Sequence, residues 1–156
     1  MFLEINLRKS KLLFFGGYRS EHEVHGLSKE GFLEQMSFAL DKYSSYDKTL
    51  LAGDFNMDRE EEILEDFLFE QNLKNLGREK TCFKSIVNPS CIDLFLTSSP
   101  LSFQNTTTVA TGLSDFHKMV VTVMKTTFPK AEPQVVYYRD YKNFNSYNFR
   151  TDLREQ

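Results

Sequence analysis

Residues 49–56 have the sequence TLLAGDFN, an apolar run that ends in Gly53-Asp54-Phe55-Asn56. The run predicts a buried β-strand that carries two polar side chains to its end. Side chains two positions apart in an extended chain point the same way, so we expect Asp54 and Asn56 to share one face. A carboxylate that holds a water molecule and an amide that donates to an oxyanion suit phosphate-ester chemistry. Capping of a following helix explains the two side chains equally well.

The composition indicates one globular domain. The chain has 156 residues, of which 40% are hydrophobic and 26% charged, enough for a substantial core. The formal net charge is −3, so contact with nucleic acid would require a local basic surface or a bound metal. Cys82 and Cys91 are the only cysteines, which fits an intracellular protein with reduced thiols and gives no zinc spacing. Glu4 and Arg8 interrupt the first apolar run, so we expect no signal peptide.

The order of predicted elements is typical of an α/β layered domain. Alternating residues predict a strand over 2–7, and apolar runs predict buried strands over 12–18 and 48–53. Apolar residues at helical spacing predict a helix that follows Ser28 and a second helix capped by Asp58. Four short strands are predicted after it, at 81–83, 90–96, 105–111 and 117–124. We therefore expect a domain over 1–128, with 129–156 as a linker and the start of a following region.

Other segments also place polar groups near predicted strand ends: Tyr18, Asp93, and the run from Ser114 to His117. Asp93 lies within an apolar strand and needs a partner, because burying an unpaired charge is costly. His117 is one candidate, since a carboxylate that accepts from one imidazole nitrogen leaves the other to face a substrate. Simpler readings are that Asp93 accepts from turn amides, and that His117 and Tyr18 are ordinary structural residues.

Three motifs in this order carry a resemblance to a known family: GDFN at 53–56, SCIDLFLTS at 90–98 and GLSDFHKMVV at 112–121. They resemble the endonuclease/exonuclease/phosphatase superfamily, and most closely the apurinic-type endonuclease domain of non-LTR retrotransposon polyproteins. The resemblance ends near residue 125 and corresponds to the C-terminal two-thirds of a family domain. It implies a four-layer α/β sandwich, incomplete at the N-terminus.

The resemblance also implies an activity, namely phosphodiester hydrolysis of DNA that depends on Mg²⁺ or Mn²⁺. By this likeness Asp54 orients or deprotonates the attacking water and Asn56 hydrogen-bonds the scissile phosphate. Asp93 orients His117, His117 stabilises the transition state, and Tyr18 contacts the phosphate. The expected partners are DNA and a reverse transcriptase domain downstream in a longer polyprotein. The expected location is intracellular, and nuclear where the substrate is chromosomal DNA.

The sequence departs from the family pattern in three places. The family's early Asn and metal-binding Glu have no counterpart, and Glu4 does not match the position of either. Arg19 follows Tyr18 directly, without the proline that the family usually has two positions after the tyrosine. We therefore expect weak metal binding, and little or no hydrolysis unless another segment supplies the carboxylate.

The third departure is Phe116, which separates Asp115 from His117. On a regular strand this spacing would put Asp115 and His117 on one face. Asp115 is therefore the candidate metal ligand of this segment.

Two other functions remain open at this point. The same fold supports phosphatases of small phosphorylated molecules. The chain can also be a non-catalytic remnant or interaction module. In that case the aromatic and basic residues of 137–156 would stack on single-stranded nucleic acid or pack on a neighbouring domain.

Overall fold

The structure, a computed structural model, describes residues 1–21, 27–126 and 145. The predicted linker and most of the predicted following region lie outside the described residues. The described elements are β1 (Phe2–Asn6), β2 (Lys11–Tyr18), α1 (Lys29–Lys42), β3 (Lys48–Asp54), α2 (Glu62–Glu70), β4 (Lys74–Asn75), β5 (Asp93–Thr97), β6 (Phe103–Val109) and β7 (Met119–Met124), with a 3-10 turn at Pro100–Ser102.

The main sheet has five strands in the order β1-β2-β3-β5-β4. Strands β2 and β3 are parallel, whereas the β1–β2, β3–β5 and β4–β5 pairs are antiparallel. A parallel neighbour needs a long crossover, and α1 supplies it between β2 and β3. Ser28 begins α1 as predicted, because its hydroxyl accepts from the amide of Gly31 at 3.1 Å.

Alternate residues of the central strands build two cores on opposite faces of the sheet. On one face the strands pack against α1 and α2, through a cluster that includes Phe15, Leu51, Leu94 and Leu96. On the other face lies a smaller cluster, which joins the sheet to β6 and β7 and is formed by Leu7, Leu12, Leu50 and Phe103.

The described residues thus form three layers, one of helices and two of strands. β6 and β7 pair with each other in a separate two-stranded sheet. Val109, Met119 and Val123 of this small sheet are 42%, 54% and 46% exposed, which leaves apolar surface uncovered by any described helix. No helix in the described ranges is both long enough and apolar enough to span a membrane.

Several predicted boundaries are wrong by a few residues. Helix α2 begins at Glu62, so Asp58 does not cap it. The Asp58 carboxylate instead accepts from the amides of Glu60 and Cys91 at 3.1 and 2.8 Å, because short polar side chains compete for nearby turn amides. Strand β5 begins at Asp93, and in place of the strand predicted over 81–83 the structure has isolated bridges from Cys82 to Ser90 and His117.

Candidate active site

Tyr18, Asp54 and Asp93 lie side by side at one end of the main sheet. Tyr18 is opposite Asp54 in the β2–β3 pair, and Asp54 is opposite Asp93 in the β3–β5 pair. All three share the strand parity of Phe14, Leu50 and Phe95, so they lie on the face that carries β6 and β7. Three segments that are distant in sequence therefore deliver their polar groups in one row.

Asn56 follows this row in a left-handed backbone conformation, with φ of 47°. Its amide donates to Oδ1 of Asp54 at 3.0 Å, and its side-chain Nδ2 donates to the carbonyl of Arg19 at 2.6 Å. Asn56 thus lies beyond the end of β3, so the alternation of side chains that predicted a shared face with Asp54 does not apply to it. The hydrogen bond of its own amide still keeps it next to the Asp54 carboxylate. One of the two Nδ2 hydrogens is left for another acceptor.

Arg19 organises this loop, a role that the sequence did not reveal. It is only 6% exposed, and its guanidinium donates to the carbonyls of Phe55 and Asn56, each at 2.8 Å. A buried guanidinium needs acceptors for its donors, and these carbonyls supply them. The available signal was the position of an arginine directly after the strand end, where the related family has a different pattern.

The electrostatics of the row are set by its two carboxylates. Burial raises the pKa of Asp54 above its ordinary value, and the charges of Asp93 and Glu21 raise it further. The hydrogen bond from the Asn56 amide and the charge of His117 act in the opposite direction on this pKa. Asp54 therefore retains a proton to higher pH than an exposed aspartate, which is a property of a general base.

Oδ2 of Asp93 is the unsatisfied atom of the site. It is shielded from solvent, and no donor within the described residues hydrogen-bonds to it. Asp54 is the direct neighbour of Asp93 in the sheet register, and carboxylate oxygens are ligands that suit a hard divalent cation. Mg²⁺ is commonly held by one or two carboxylates, with water and substrate phosphates as the other ligands. The residues therefore fit such an ion, although the described residues include no set of three or more His, Cys, Asp or Glu side chains placed to hold one.

The segment that carries His117 is a loop and not a strand. The Ser114 hydroxyl accepts from the amides of Phe116 and His117 at 3.3 and 3.1 Å, which forms a turn. Asp115 is exposed on this turn, so the same-face argument from a regular strand does not apply. Nε2 of His117 lies 3.8 Å from Sγ of Cys82, and the structure contains no hydrogen bond from His117 to Oδ2 of Asp93.

The raised pKa of Asp54 predicts how stability depends on pH when metal is absent. Because the pKa is higher in the folded than in the unfolded chain, the stability that Asp54 contributes is present below its unfolded pKa of about 3.9. It is lost as pH rises through the folded value. In EDTA, we expect the free energy of unfolding of Asp54→Asn to match wild type near pH 3.5 and to exceed it at pH 7. Urea titrations of both proteins measure the difference in their free energies of unfolding. A difference that stays the same from pH 3.5 to pH 7 would contradict the raised pKa of Asp54.

The sheet order, its two cores and the polar row at one end are consistent with an α/β fold of the endonuclease/exonuclease/phosphatase type, of whose four expected layers the described residues form three. A family model described as endonuclease-reverse transcriptase matches residues 12–121. The chain belongs to this family. No curated protein matches the chain.

Solved structures share the fold at low sequence identity. The endonuclease domain of TRAS1, a telomere-specific non-LTR retrotransposon, is similar with a TM-score of 0.66 and 17% identity, over 80% of this chain and 61% of that one. An endonuclease/exonuclease/phosphatase family protein from Leptotrichia buccalis gives 0.60 and 14%, over 79% and 51%. A beta toxin from Staphylococcus aureus gives 0.54 and 14%, over 80% and 56%. The chain thus spans about half to three-fifths of the length of these proteins.

Proposed function

We propose that this chain carries the catalytic row of a divalent-metal-dependent endonuclease that hydrolyses phosphodiester bonds in DNA. The observation that supports this proposal most directly is the register of Tyr18, Asp54 and Asp93, with the unpaired Oδ2 of Asp93 beside a second carboxylate. The family description and the likeness to the TRAS1 endonuclease domain favour DNA as substrate and a linked reverse transcriptase domain as partner. An enzyme acting on chromosomal DNA would work in the nucleus of a nucleated cell.

Asp54 is the proposed base for the attacking water. Its raised pKa brings its proton affinity nearer to neutral pH, which increases the driving force for taking a proton from water. Asn56, next to it, would donate its second Nδ2 hydrogen to a non-bridging phosphate oxygen. Tyr18 is 68% exposed at the end of the row, so its hydroxyl can reach a bound phosphate without rearrangement of the core.

His117 would stabilise the negative charge that develops on the phosphate, with Asp93 as its orienting partner. Nε2 of His117 contacts the Cys82 thiol in the structure, so only Nδ1 is available to face a carboxylate. For the other nitrogen to reach substrate, the contact with Cys82 must break when DNA binds. A thiol is a weak hydrogen-bonding partner, so this exchange requires little energy.

Asp115 from the neighbouring turn would hold the metal ion, as the family pattern suggests, together with the unpaired Oδ2 of Asp93. A bound divalent cation supplies Lewis-acid stabilisation of the phosphoryl oxygens. Binding it would also offset the repulsion between two directly opposed carboxylates, which is unfavourable in the metal-free protein.

Nicking of supercoiled plasmid, measured with enzyme in excess, tests the function. We expect slow conversion to open circles with Mg²⁺ or Mn²⁺ and none in EDTA. The same ions should raise the melting temperature of the chain.

The other functions give different results in the same assay. Hydrolysis of inositol or sphingolipid phosphates without nicking would indicate a small-molecule phosphatase. An absence of both reactions, together with no change in melting temperature on adding metal, would favour a non-catalytic module and contradict the proposal.

A further inference from the structure

The segment Thr81–Phe83, which we name the bridging segment, connects the strand of Asp93 to the loop of His117. Thr81 is fully buried. Its hydroxyl oxygen accepts from the amides of Ile92 and Asp93 at 3.3 and 3.2 Å. Its backbone carbonyl accepts from the amide of Lys118 at 2.8 Å. One residue is therefore hydrogen-bonded both to Asp93 and to the immediate neighbour of His117.

The rest of the bridging segment reinforces the connection to the His117 loop. The amide of Phe83 donates to the carbonyl of Phe116 at 2.7 Å, and Cys82 forms a β-bridge with His117. The thiol of Cys82 also lies against Nε2 of the His117 ring. The loop that carries His117 comes before β7, which begins at Met119, so these contacts join a stretch without regular strand pairing to the bridging segment.

We propose that Thr81 is a positioning residue, whose hydroxyl fixes the separation of Asp93 and His117. This inference rests on the proposed function for its catalytic meaning, but its geometry can be measured without any activity. Serine and valine have the side chains needed to test it. Thr81→Ser keeps the acceptor and loses a methyl group, whereas Thr81→Val keeps the shape and loses the acceptor.

Without the hydroxyl, the buried amide of Ile92 and the partly buried amide of Asp93 lose their acceptor, and the backbone must move to satisfy them. Asp93 is one of these two residues, so its carboxylate moves with the backbone. The carbonyl bond to Lys118 then transmits the change to the other side of the bridging segment. Displacements of about 1 Å in a catalytic group can reduce turnover by up to about 100-fold.

The experiment combines NMR at a fixed pH with nicking kinetics on the full chain. In wild type, the ring protons of His117 should show a cross-peak to the β-protons of Cys82, assigned with a His117→Gln variant. We expect Thr81→Val to weaken or lose this cross-peak and Thr81→Ser to retain it. We also expect Thr81→Val to lower kcat about 10-fold with KM changed less than about twofold, and Thr81→Ser to stay near wild type.

Each outcome supports or overturns the positioning role of Thr81. A lower melting temperature of Thr81→Val with an unchanged cross-peak and unchanged kcat would show a merely structural role and overturn the proposal. If no variant and no wild-type chain nicks DNA but the cross-peak changes as expected, the positioning role stands and the proposed function fails. If Thr81→Val does not fold, hydrogen exchange of wild type decides, since rapidly exchanging amides at Ile92 and Asp93 would overturn the inference.

Discussion

Replacing Asp54 with asparagine should lower the metal-dependent nicking rate by about 100-fold to 10,000-fold, the range expected for loss of a general base. The amide has almost the shape of the carboxylate, and its oxygen can still accept from the amide of Asn56, a bond of 3.0 Å in the wild type. It can neither take a proton from water nor supply charge to a cation. The loss should therefore appear in kcat, without unfolding of the protein.

Two measurements on Asp54→Asn separate a loss of catalytic activity from a loss of stability. Nicking rates with Mn²⁺ measure the catalytic loss, and urea titration in EDTA measures stability. The variant should be at least as stable as wild type at pH 7, because the cost of burying the Asp54 charge and its repulsion from Asp93 are both gone. Asp66→Asn on the exposed side of α2 is the matched control and should leave both quantities unchanged. Nicking by Asp54→Asn at the wild-type rate would assign the base role elsewhere.

Replacing Gly53 with alanine should destabilise the fold by about 3–5 kcal/mol, through both a steric clash and backbone strain. Gly53 has φ of 153°, and a Cβ there would lie 1.8 Å from the carbonyl oxygen of Gly17. Gly17 is its direct partner in the parallel β2–β3 pair. Because the obstruction is backbone and not a flexible side chain, the two strands would have to separate just before Tyr18 and Asp54.

Gly16→Ala is the control for Gly53→Ala. Its Cβ would approach only the ring of Phe14, at 3.4 Å, and a side chain can shift. We expect the free energy of unfolding to change by less than about 1 kcal/mol, because the methyl group has room and alanine loses less backbone entropy on folding than glycine. Equal urea midpoints for the two alanine variants would show that the close approach of Gly17 and Gly53 is not needed.

The order of strands and helices followed from periodicity in the sequence. The alternation in residues 2–7, the apolar runs over 12–15 and before Asp54, and the helical stripe after Ser28 all correspond to described elements. These patterns are reliable because each records which side chains face a core. The ends of elements were predicted less well. Asp58 and the residues of 81–93 can form hydrogen bonds with several backbone groups, and which bonds form depends on the segments packed beside them.

The local sequence determined that Asp54 lies at a strand end, because the apolar run before it stops there, whereas Asp93 was predicted inside a strand and only the structure placed it at the start of β5. Only the tertiary structure decided that Tyr18, Asp54 and Asp93 are adjacent, since register depends on pairing between strands that are far apart in the chain. The same holds for Arg19 and Thr81. Neither has a distinctive pattern around it, and each acquired its role from backbone groups of distant segments that had to be hydrogen-bonded once they were buried.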